Sequence, residues 1–277
     1  MTIAVQSLLS PRRRPLPKAE GVRTPPPQWP RKVDLFGVQV TPTCYDETVA
    51  SVIRAAREGR AGIVDLMPVH GLITAARDAD YRRRVNAFDI VAPDGQPVRW
   101  ALNRFHKAGL PDRVYGPELT LRLCAAAAQA GVSIYLYGAT PEVVDRLKNT
   151  LLERYPGLRV AGAESPPFRP LTAGEDAAVV ERINASGAGI VFLGFGCPKQ
   201  EIFASEHRDT IRAVQLCVGA AFDFHAGEKP MAPPWMQKRG LEWAFRLWQE
   251  PGRLWRRYLV TNTIFSLLVG RRLLLGR

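Results

Sequence analysis

Short apolar runs alternate along the chain with segments whose apolar residues recur every three or four positions. The runs predict buried strands, whereas the other spacing predicts amphipathic helices that cover a sheet. The predicted strands are residues 33–40, 62–67, 87–92, 132–137, 158–163, 188–193 and 213–218. The predicted helices are residues 43–57, 72–85, 117–130, 140–155, 173–186 and 202–211. This alternation predicts an α/β fold with a mostly parallel sheet and helices on both faces.

Several polar and glycine positions come directly after predicted strands. Asp94, Gly138, the loop at residues 194–201 and Asp223 all stand at such places. Ligands of parallel sheets bind beyond the carboxyl ends of the strands. We therefore expect these four positions to converge on one crevice.

The two ends of the chain differ from this core. Residues 1–32 are rich in Pro and Arg and predict a disordered arm, because they can bury little apolar surface. From residue 241, Trp, Leu and Arg recur at helical spacing. That pattern is typical of helices in a membrane interface and equally of a helix pair packed on the core. No stretch reaches the roughly 18–20 apolar residues of a spanning helix, and no signal peptide is predicted.

Charge is unevenly distributed over the 277 residues, whose net charge is +12. Residues 1–33 carry seven Lys/Arg against one acid, and residues 238–277 carry nine against two, so the middle is nearly neutral. Basic ends on a neutral body favour an anionic surface such as phospholipid headgroups over a nucleic-acid groove. The four cysteines form no CxxC pair, which favours free thiols in the cytoplasm.

The loop at residues 194–201 (GFGCPKQE) joins a predicted strand to a predicted helix. Two glycines let the backbone approach a ligand closely, and a helix start favours an anion. The dinucleotide fingerprint fails because Lys199 stands where its third glycine belongs, and the Walker pattern is absent. The loop therefore predicts a phosphate or nucleotide-sugar site.

Four blocks of the sequence carry recognisable motifs: residues 92–95 (APDG), 112–119 (DRVYGPEL), 194–201, and 218–227 (VGAAFDFHAG) together with 232–236 (APPWM) and 240–258. Through these blocks the chain resembles the WecG/TagA/CpsF glycosyltransferase family over roughly residues 34–260. The resemblance implies a Rossmann-like core and an inverting transferase that needs no metal and no cofactor. It implies a UDP-sugar donor, a polyprenyl-diphosphate-linked acceptor and a location on the inner face of the cell membrane.

The same resemblance divides the chain and assigns its residues. It implies a core at residues 33–236 after the arm, followed by a helical, membrane-associating appendage at residues 237–277. Asp94 matches the general base, and Arg113 matches an arginine suited to diphosphate. The donor site is matched by Phe168, Gly194, Gly196, Pro198, Lys199, Gln200, Glu201 and Asp223, the last of which is predicted to end the final core strand. The family's arginines for the acceptor and for membrane lipids correspond to Arg246, Arg253, Arg256 and Arg257.

One departure from the family pattern concerns the donor sugar. Members usually carry Thr-x-Asn after the second strand, where this chain has Leu66 and Pro68. Loss of both polar side chains leaves the identity of the transferred sugar open. His70 is a candidate replacement, although a lone histidine is more often structural.

Two readings from other functional classes compete with the transferase. One is a non-catalytic adaptor that uses its basic ends to bind membrane or nucleic acid. The other is an NAD-dependent oxidoreductase. A neutral body with a glycine loop and converging carboxylates favours the transferase over the adaptor.

Overall fold

A computed structural model describes residues 29–276. The strands are β1 Val33–Leu35, β2 Val38–Val40, β3 Gly62–Met67, β4 Ile90–Pro93, β5 Ser133–Gly138, β6 Arg159–Glu164, β7 Ile190–Gly194 and β8 Val214–Cys217. The first helices are α1 Tyr45–Arg57, α2 Val69–Arg77, α3 Ala79–Asn86, α4 Gln96–His106, α5 Gly116–Ala130 and α6 Pro141–Arg154. The others are α7 Ala173–Ala185, α8 Lys199–Glu206, α9 Ala221–His225, α10 Pro234–Lys238, α11 Glu242–Gln249 and α12 Pro251–Leu275.

Six of these strands form one parallel sheet in the order β4-β3-β8-β7-β5-β6. The order brings the carboxyl ends of β4, β3, β8 and β7 side by side. Val64, for example, lies between Ile90 and Leu216. The predicted α/β class with a mostly parallel sheet is confirmed.

Alternating residues of each strand enter two cores, one on each face of the sheet. In β3, Val64 and Leu66 join α1, α5, α6 and α9 on one face. Ile63 and Met67 join α2, α3, α4, α7 and α8 on the other face. Because both faces are covered, the strands read as continuous apolar runs, which is why the sequence located most of them.

The segment at residues 33–40 forms a hairpin, so its prediction as one strand is wrong. Strands β1 and β2 are antiparallel, with Leu35 opposite Val38. Phe36 and Gly37 adopt φ angles of 61° and 85° in the turn between them. A two-residue turn of this kind returns the chain without disturbing the apolar alternation, so the pattern alone does not distinguish it from a straight strand.

The run after β8 is also not a strand. β8 ends at Cys217, Gly219 turns the chain at φ 52°, and the apolar residues that follow form α9. Asp223 therefore lies in a short helix, and its predicted place at a strand end is wrong. Helix α9 packs against α5 and α6 below the sheet edge, which explains its buried Phe222.

The predicted helix at residues 72–85 is divided in two. Asp78 ends α2, and its carboxylate accepts hydrogen bonds from the backbone N–H groups of Asp80 and Tyr81 as the N-cap of α3. Helix α8 starts earlier than predicted, so that Lys199 opens it. The last three residues of the 194–201 motif are therefore its first turn.

The C-terminal segment forms α11 and α12, and α12 packs along α2. Within residues 29–276, α12 is long and apolar enough to cross a membrane, judged by length and composition only. The expectation that no stretch reaches that length is wrong on this criterion.

The predicted N-terminal arm falls largely outside the described residues. Of its last four residues, Trp29 stacks under the Arg60 guanidinium, whose Cζ lies 4.9 Å from the ring. Lys32 Nζ donates to the backbone carbonyls of Asn86 and Phe88 at 2.7 and 2.6 Å. Ordered packing thus begins before residue 33.

Candidate active site

A cavity of about 700 Å³ lies at the carboxyl ends of β3, β4, β7 and β8. The strand ends and their loops form its floor, and α11 and α12 form the opposite wall. Ten predicted site residues line it: Asp94, Arg113, Gly194, Gly196, Gln200, Glu201, Asp223, Arg246, Arg253 and Arg257. The crevice expected from the strand ends is therefore present, and residues far apart in sequence meet there.

Asp94 follows β4 directly and is half-buried at the floor of the cavity. Its carboxylate accepts a hydrogen bond from the backbone N–H of Gly116, the first residue of α5. Burial raises the pKa of Asp94 to about 7. The Glu242 carboxylate also raises the pKa of Asp94, whereas the cations of Arg113 and Arg246 lower it. A carboxyl group with that pKa can accept a proton near neutral pH, as a general base must.

Arg113 is held beside Asp94 by a buried ion pair. Its guanidinium donates a hydrogen bond to the Glu242 carboxylate of α11, and both residues are 7% exposed. The guanidinium also lies 4.3 Å from the centre of the Tyr115 ring. Removing one partner of such a pair typically costs about 3–5 kcal/mol, because the other charge stays buried. The pair therefore fastens the C-terminal helices to the floor of the cavity.

The 194–201 loop is shaped by glycines at two points. A Cβ on Gly138 would lie 2.6 Å from the Cα of Gly194, so the ends of β5 and β7 approach closely only without a side chain there. Gly196 has a φ of 79°, in the left-handed region that favours glycine. These two features bring the backbone of the loop to the cavity.

Gln200 joins this loop to the turn after β8. Its Oε1 accepts hydrogen bonds from the backbone N–H groups of Gly196 and Gly219 at 3.2 and 3.0 Å. Its Nε2 donates to Glu201 Oε1 at 2.9 Å. The amide that was predicted to bind the donor is therefore already engaged within the protein.

Four predicted residues do not line the cavity. Phe168, which is 85% exposed, lies in the loop after β6. Pro198 and Lys199 are exposed where α8 begins, and Arg256 stacks on Trp255 at 5.2 Å. The structure does not bring these four to the other site residues, and their functions stay predictions.

Three arginines of the appendage face the floor of the cavity from the opposite wall. Arg246 comes from α11, while Arg253 and Arg257 come from α12. The Arg246 guanidinium lies 5.7 Å from the centre of the Phe224 ring. Cations from two helices thus meet Asp94 and Arg113 across one space.

Asp223 belongs to a chain of ion pairs that was not predicted. Its carboxylate lies 2.9 Å from Lys229 Nζ, which is 3.1 Å from a carboxylate oxygen of Glu250. Glu250 in turn pairs with Arg253. The chain connects α9 to the start of α12, and Lys229 and Arg253 both line the cavity.

The positions that depart from the family pattern form one part of the cavity lining. Leu66, Pro68 and His70 all line it. Within the described residues, His70 Nδ1 is buried and has no hydrogen-bond partner. Burial lowers the pKa of His70 to about 4, and the Arg257 cation adds to this effect. At neutral pH, His70 is therefore an uncharged group with one ring nitrogen unused.

Two residues of the site were not identified from the sequence. Glu242 stood in a recognised block, but nothing in a single sequence indicates that it pairs with Arg113. Lys229 lies between the recognised blocks, and no sequence pattern indicated that it belongs to the site. Both depend on contacts between distant segments.

Metal binding was predicted to be absent. Within residues 29–276, no group of three or more His, Cys, Asp or Glu side chains is placed to hold a metal ion. Metal independence itself stays a prediction, because only activity can test it.

A family model described as glycosyl transferase WecG/TagA/CpsF matches residues 33–277. The match includes both the sheet that forms the floor of the cavity and the helices that form its opposite wall. The resemblance noted in the sequence is thereby confirmed, and the chain belongs to the WecG/TagA/CpsF family of glycosyltransferases.

Proposed function

We propose that the protein is an inverting glycosyltransferase that moves a sugar from a UDP-sugar to a polyprenyl-diphosphate-linked saccharide. The family implies a glycosyltransferase in cell-surface polysaccharide synthesis, with a sugar-nucleotide donor and a lipid-linked acceptor in general. The proposal adds the UDP-sugar, the polyprenyl diphosphate and the absence of a metal. One observation carries it: Asp94 and arginines from both walls line the same cavity.

Asp94 acts as the general base in this proposal. It takes the proton of the acceptor hydroxyl while that oxygen attacks C1 of the donor sugar from the face opposite UDP. Charge develops on the diphosphate as the bond to C1 breaks. Arg113, fixed by Glu242, provides a cation for this charge without a metal ion.

The donor lies between the 194–201 loop and the turn after β8 in this arrangement. Asp223, held by Lys229, is placed to bind a ribose hydroxyl at the same end of the cavity. The sugar then faces Leu66, Pro68 and His70. The unused nitrogen of His70 can bond one sugar hydroxyl, whereas the two apolar side chains cannot.

The acceptor enters from the membrane side along α12. Its inner side buries Leu254 and Phe265, but Leu259 and Leu267 on the outer side are 62% and 68% exposed. A helix on an aqueous surface is normally polar on its outer side, whereas one in a membrane interface exposes apolar residues. We therefore propose a catalytic core at residues 33–236 and an appendage at residues 237–277, peripheral on the inner face of the cell membrane.

A transfer assay tests the proposal directly. Purified protein is incubated with a panel of UDP-sugars and a polyprenyl-diphosphate-linked saccharide, with and without EDTA, and the product is identified by mass spectrometry. We expect one UDP-sugar to be transferred at a rate that EDTA leaves unchanged. Binding of vesicles or RNA with no transfer from any donor would favour the adaptor instead.

The dependence of transfer on pH follows from the pKa of Asp94, which burial raises to about 7. The base must be ionised in the free enzyme, so we expect kcat/KM to fall as the pH drops below about 7 and to level off above it. The measurement is kcat/KM for transfer between pH 5.5 and 9, values chosen to bracket that pKa by roughly two units or less. A profile that stays flat down to pH 5.5, as expected for an aspartate with the usual pKa of about 4, would contradict it.

The outer side of α12 provides a second prediction. Replacing Leu259 and Leu267 together by serine should weaken binding to anionic phospholipid vesicles about tenfold or more, because two buried leucine side chains leave the bilayer. The matched control is Leu152→Ser on α6, which is 38% exposed and far from the appendage in sequence. Equal binding by the double variant and the control in vesicle sedimentation would refute the membrane contact.

A further inference from the structure

Asp65 is an acid in the middle of a buried parallel strand. It is 1% exposed and lies in β3 on the same face as Ile63 and Met67, where α3 and α8 cover the sheet. A lone carboxylate in such a place would carry a large desolvation cost, so it needs a polar partner. Asp65 lies behind the cavity and is not among its lining residues.

The partner of Asp65 is Glu201, in the first turn of α8. Glu201 is 2% exposed, and within the described residues Asp65 Oδ1 and Glu201 Oε2 are both buried without a hydrogen-bond partner. Burial raises the pKa of Asp65 well above its ordinary value, and the facing Glu201 carboxylate raises it further. Two buried carboxylates in contact do not both ionise, so one proton remains between them. The hydrogen bond from Gln200 Nε2 favours the ionised form of Glu201, which leaves the proton on Asp65.

This pair continues into a chain of hydrogen bonds that reaches the cavity. Glu201 Oε1 accepts from Gln200 Nε2 at 2.9 Å, and Gln200 Oε1 accepts from the N–H groups of Gly196 and Gly219. Both glycines have positive φ angles, of 79° and 52°. One amide oxygen thus holds two glycine turns, one after β7 and one after β8. The orientation of this amide is fixed by its bond to Glu201 of α8, which faces Asp65 of β3.

We propose that Asp65 and Glu201 share one proton and act as a clamp, which holds Gln200 across the two glycine turns of the donor site. In this role Asp65 and Glu201 are positioning residues, since they act on the nucleotide through Gln200 and the backbone. The inference rests on the proposed function, because it assumes that these turns bind the donor nucleotide. The clamp explains why the acidic residue Asp65 stands in the middle of the buried strand β3.

Binding of UDP by calorimetry tests the clamp. In Glu201→Ala the amide of Gln200 loses its acceptor, so we expect the Kd for UDP to rise about tenfold. Asp65→Ala should have a similar effect. Asp65→Asn should recover most of the affinity, because its side-chain N–H replaces the shared proton as the donor to Glu201. If E201A does not fold, the double variant D65A/E201A, which leaves no buried acid unpaired, carries the same expectation.

A double-mutant cycle separates positioning from general loss of stability. If Glu201 acts through Gln200, the combined variant Q200A/E201A should bind UDP no more weakly than Q200A alone. The control is Asp89→Ala. Asp89 accepts a hydrogen bond from the N–H of Ile63 at the opposite end of β3, so its loss weakens the fold without reaching the donor site.

Each outcome decides the inference. A tenfold loss in E201A and D65A, with recovery in D65N and non-additivity in the cycle, supports the clamp. Unchanged UDP affinity in folded variants, additive losses, or a D65N variant as weak as D65A overturns the clamp alone. If the unmodified protein does not bind UDP, both the clamp and the proposed function fail.

Discussion

Replacing Asp94 by asparagine should lower kcat for sugar transfer by about 10²- to 10⁴-fold, the range that a general base supplies. The asparagine side chain keeps the size and one oxygen of Asp94 but cannot accept a proton. Its oxygen can still accept the hydrogen bond from Gly116 at the start of α5, so the floor of the cavity should keep its shape. The measurement is kcat for transfer at saturating donor and acceptor.

A loss of folding and a loss of the base are distinguished by two further measurements. UDP should bind to Asp94→Asn within about twofold of its normal Kd, because the variant leaves the donor loop untouched. Asp46→Asn is the matched control, since that side chain is 94% exposed on α1. A transfer rate within a few-fold of normal in folded Asp94→Asn would remove Asp94 from the role of base.

The sheet was predictable because its strands are buried on both faces. Such strands are short apolar runs, and only parallel strands need a helix between each pair. Two predictions failed for the same physical reason: residues 33–40 as one strand, and Asp223 as the end of the last core strand. Glycine turns at Gly37 and Gly219 redirect the backbone at these places. Whether a glycine adopts a positive φ depends on the packing around it, and a single sequence does not show that packing.

The candidate site was predictable where it rests on strand ends. Asp94 and the glycines of residues 194–201 follow strands, so the parallel order brings them to one edge. What the sequence did not reveal is which polar groups satisfy each other. Gln200 was expected to face the donor, yet its amide bonds to Gly196, Gly219 and Glu201. Partners of this kind come from distant segments, and no spacing rule links them.

The appendage is the part of the site where the sequence left two interpretations open, membrane helices or helices packed on the core. In the structure α12 packs on α2 with one side and exposes Leu259 and Leu267 on the other. The same helix can therefore close the cavity and contact a bilayer. Packing on the core is seen for the inner side of this helix, and the proposed membrane contact concerns its outer side.

Removing residues 240–277 should abolish transfer, with a loss of more than about 10³-fold for both long-chain and short-chain acceptors. The deletion takes away Glu242, so Arg113 loses its partner. It also removes Arg246 and Arg257 from the cavity wall. Each charge-assisted bond to a phosphate is worth about 1.5–3 kcal/mol, or roughly 10- to 150-fold in binding. A membrane role alone would spare a water-soluble short-chain acceptor, so an equal loss with both acceptors indicates that the helices build the site.

The deletion also exposes the surface of α2, so a milder variant must separate the site from the fold. Arg246→Ala with Arg257→Ala keeps both helices, and we expect it to lower kcat/KM for the acceptor about 10²- to 10³-fold. Arg271→Ala is the matched control, because Arg271 is an exposed arginine of α12 outside the main cavity. If the double variant transfers sugar as well as the unmodified protein, the two arginines bind no acceptor. Equal losses in both would instead indicate that only the positive charge of the helix matters, since Arg271 shares that charge but not the cavity.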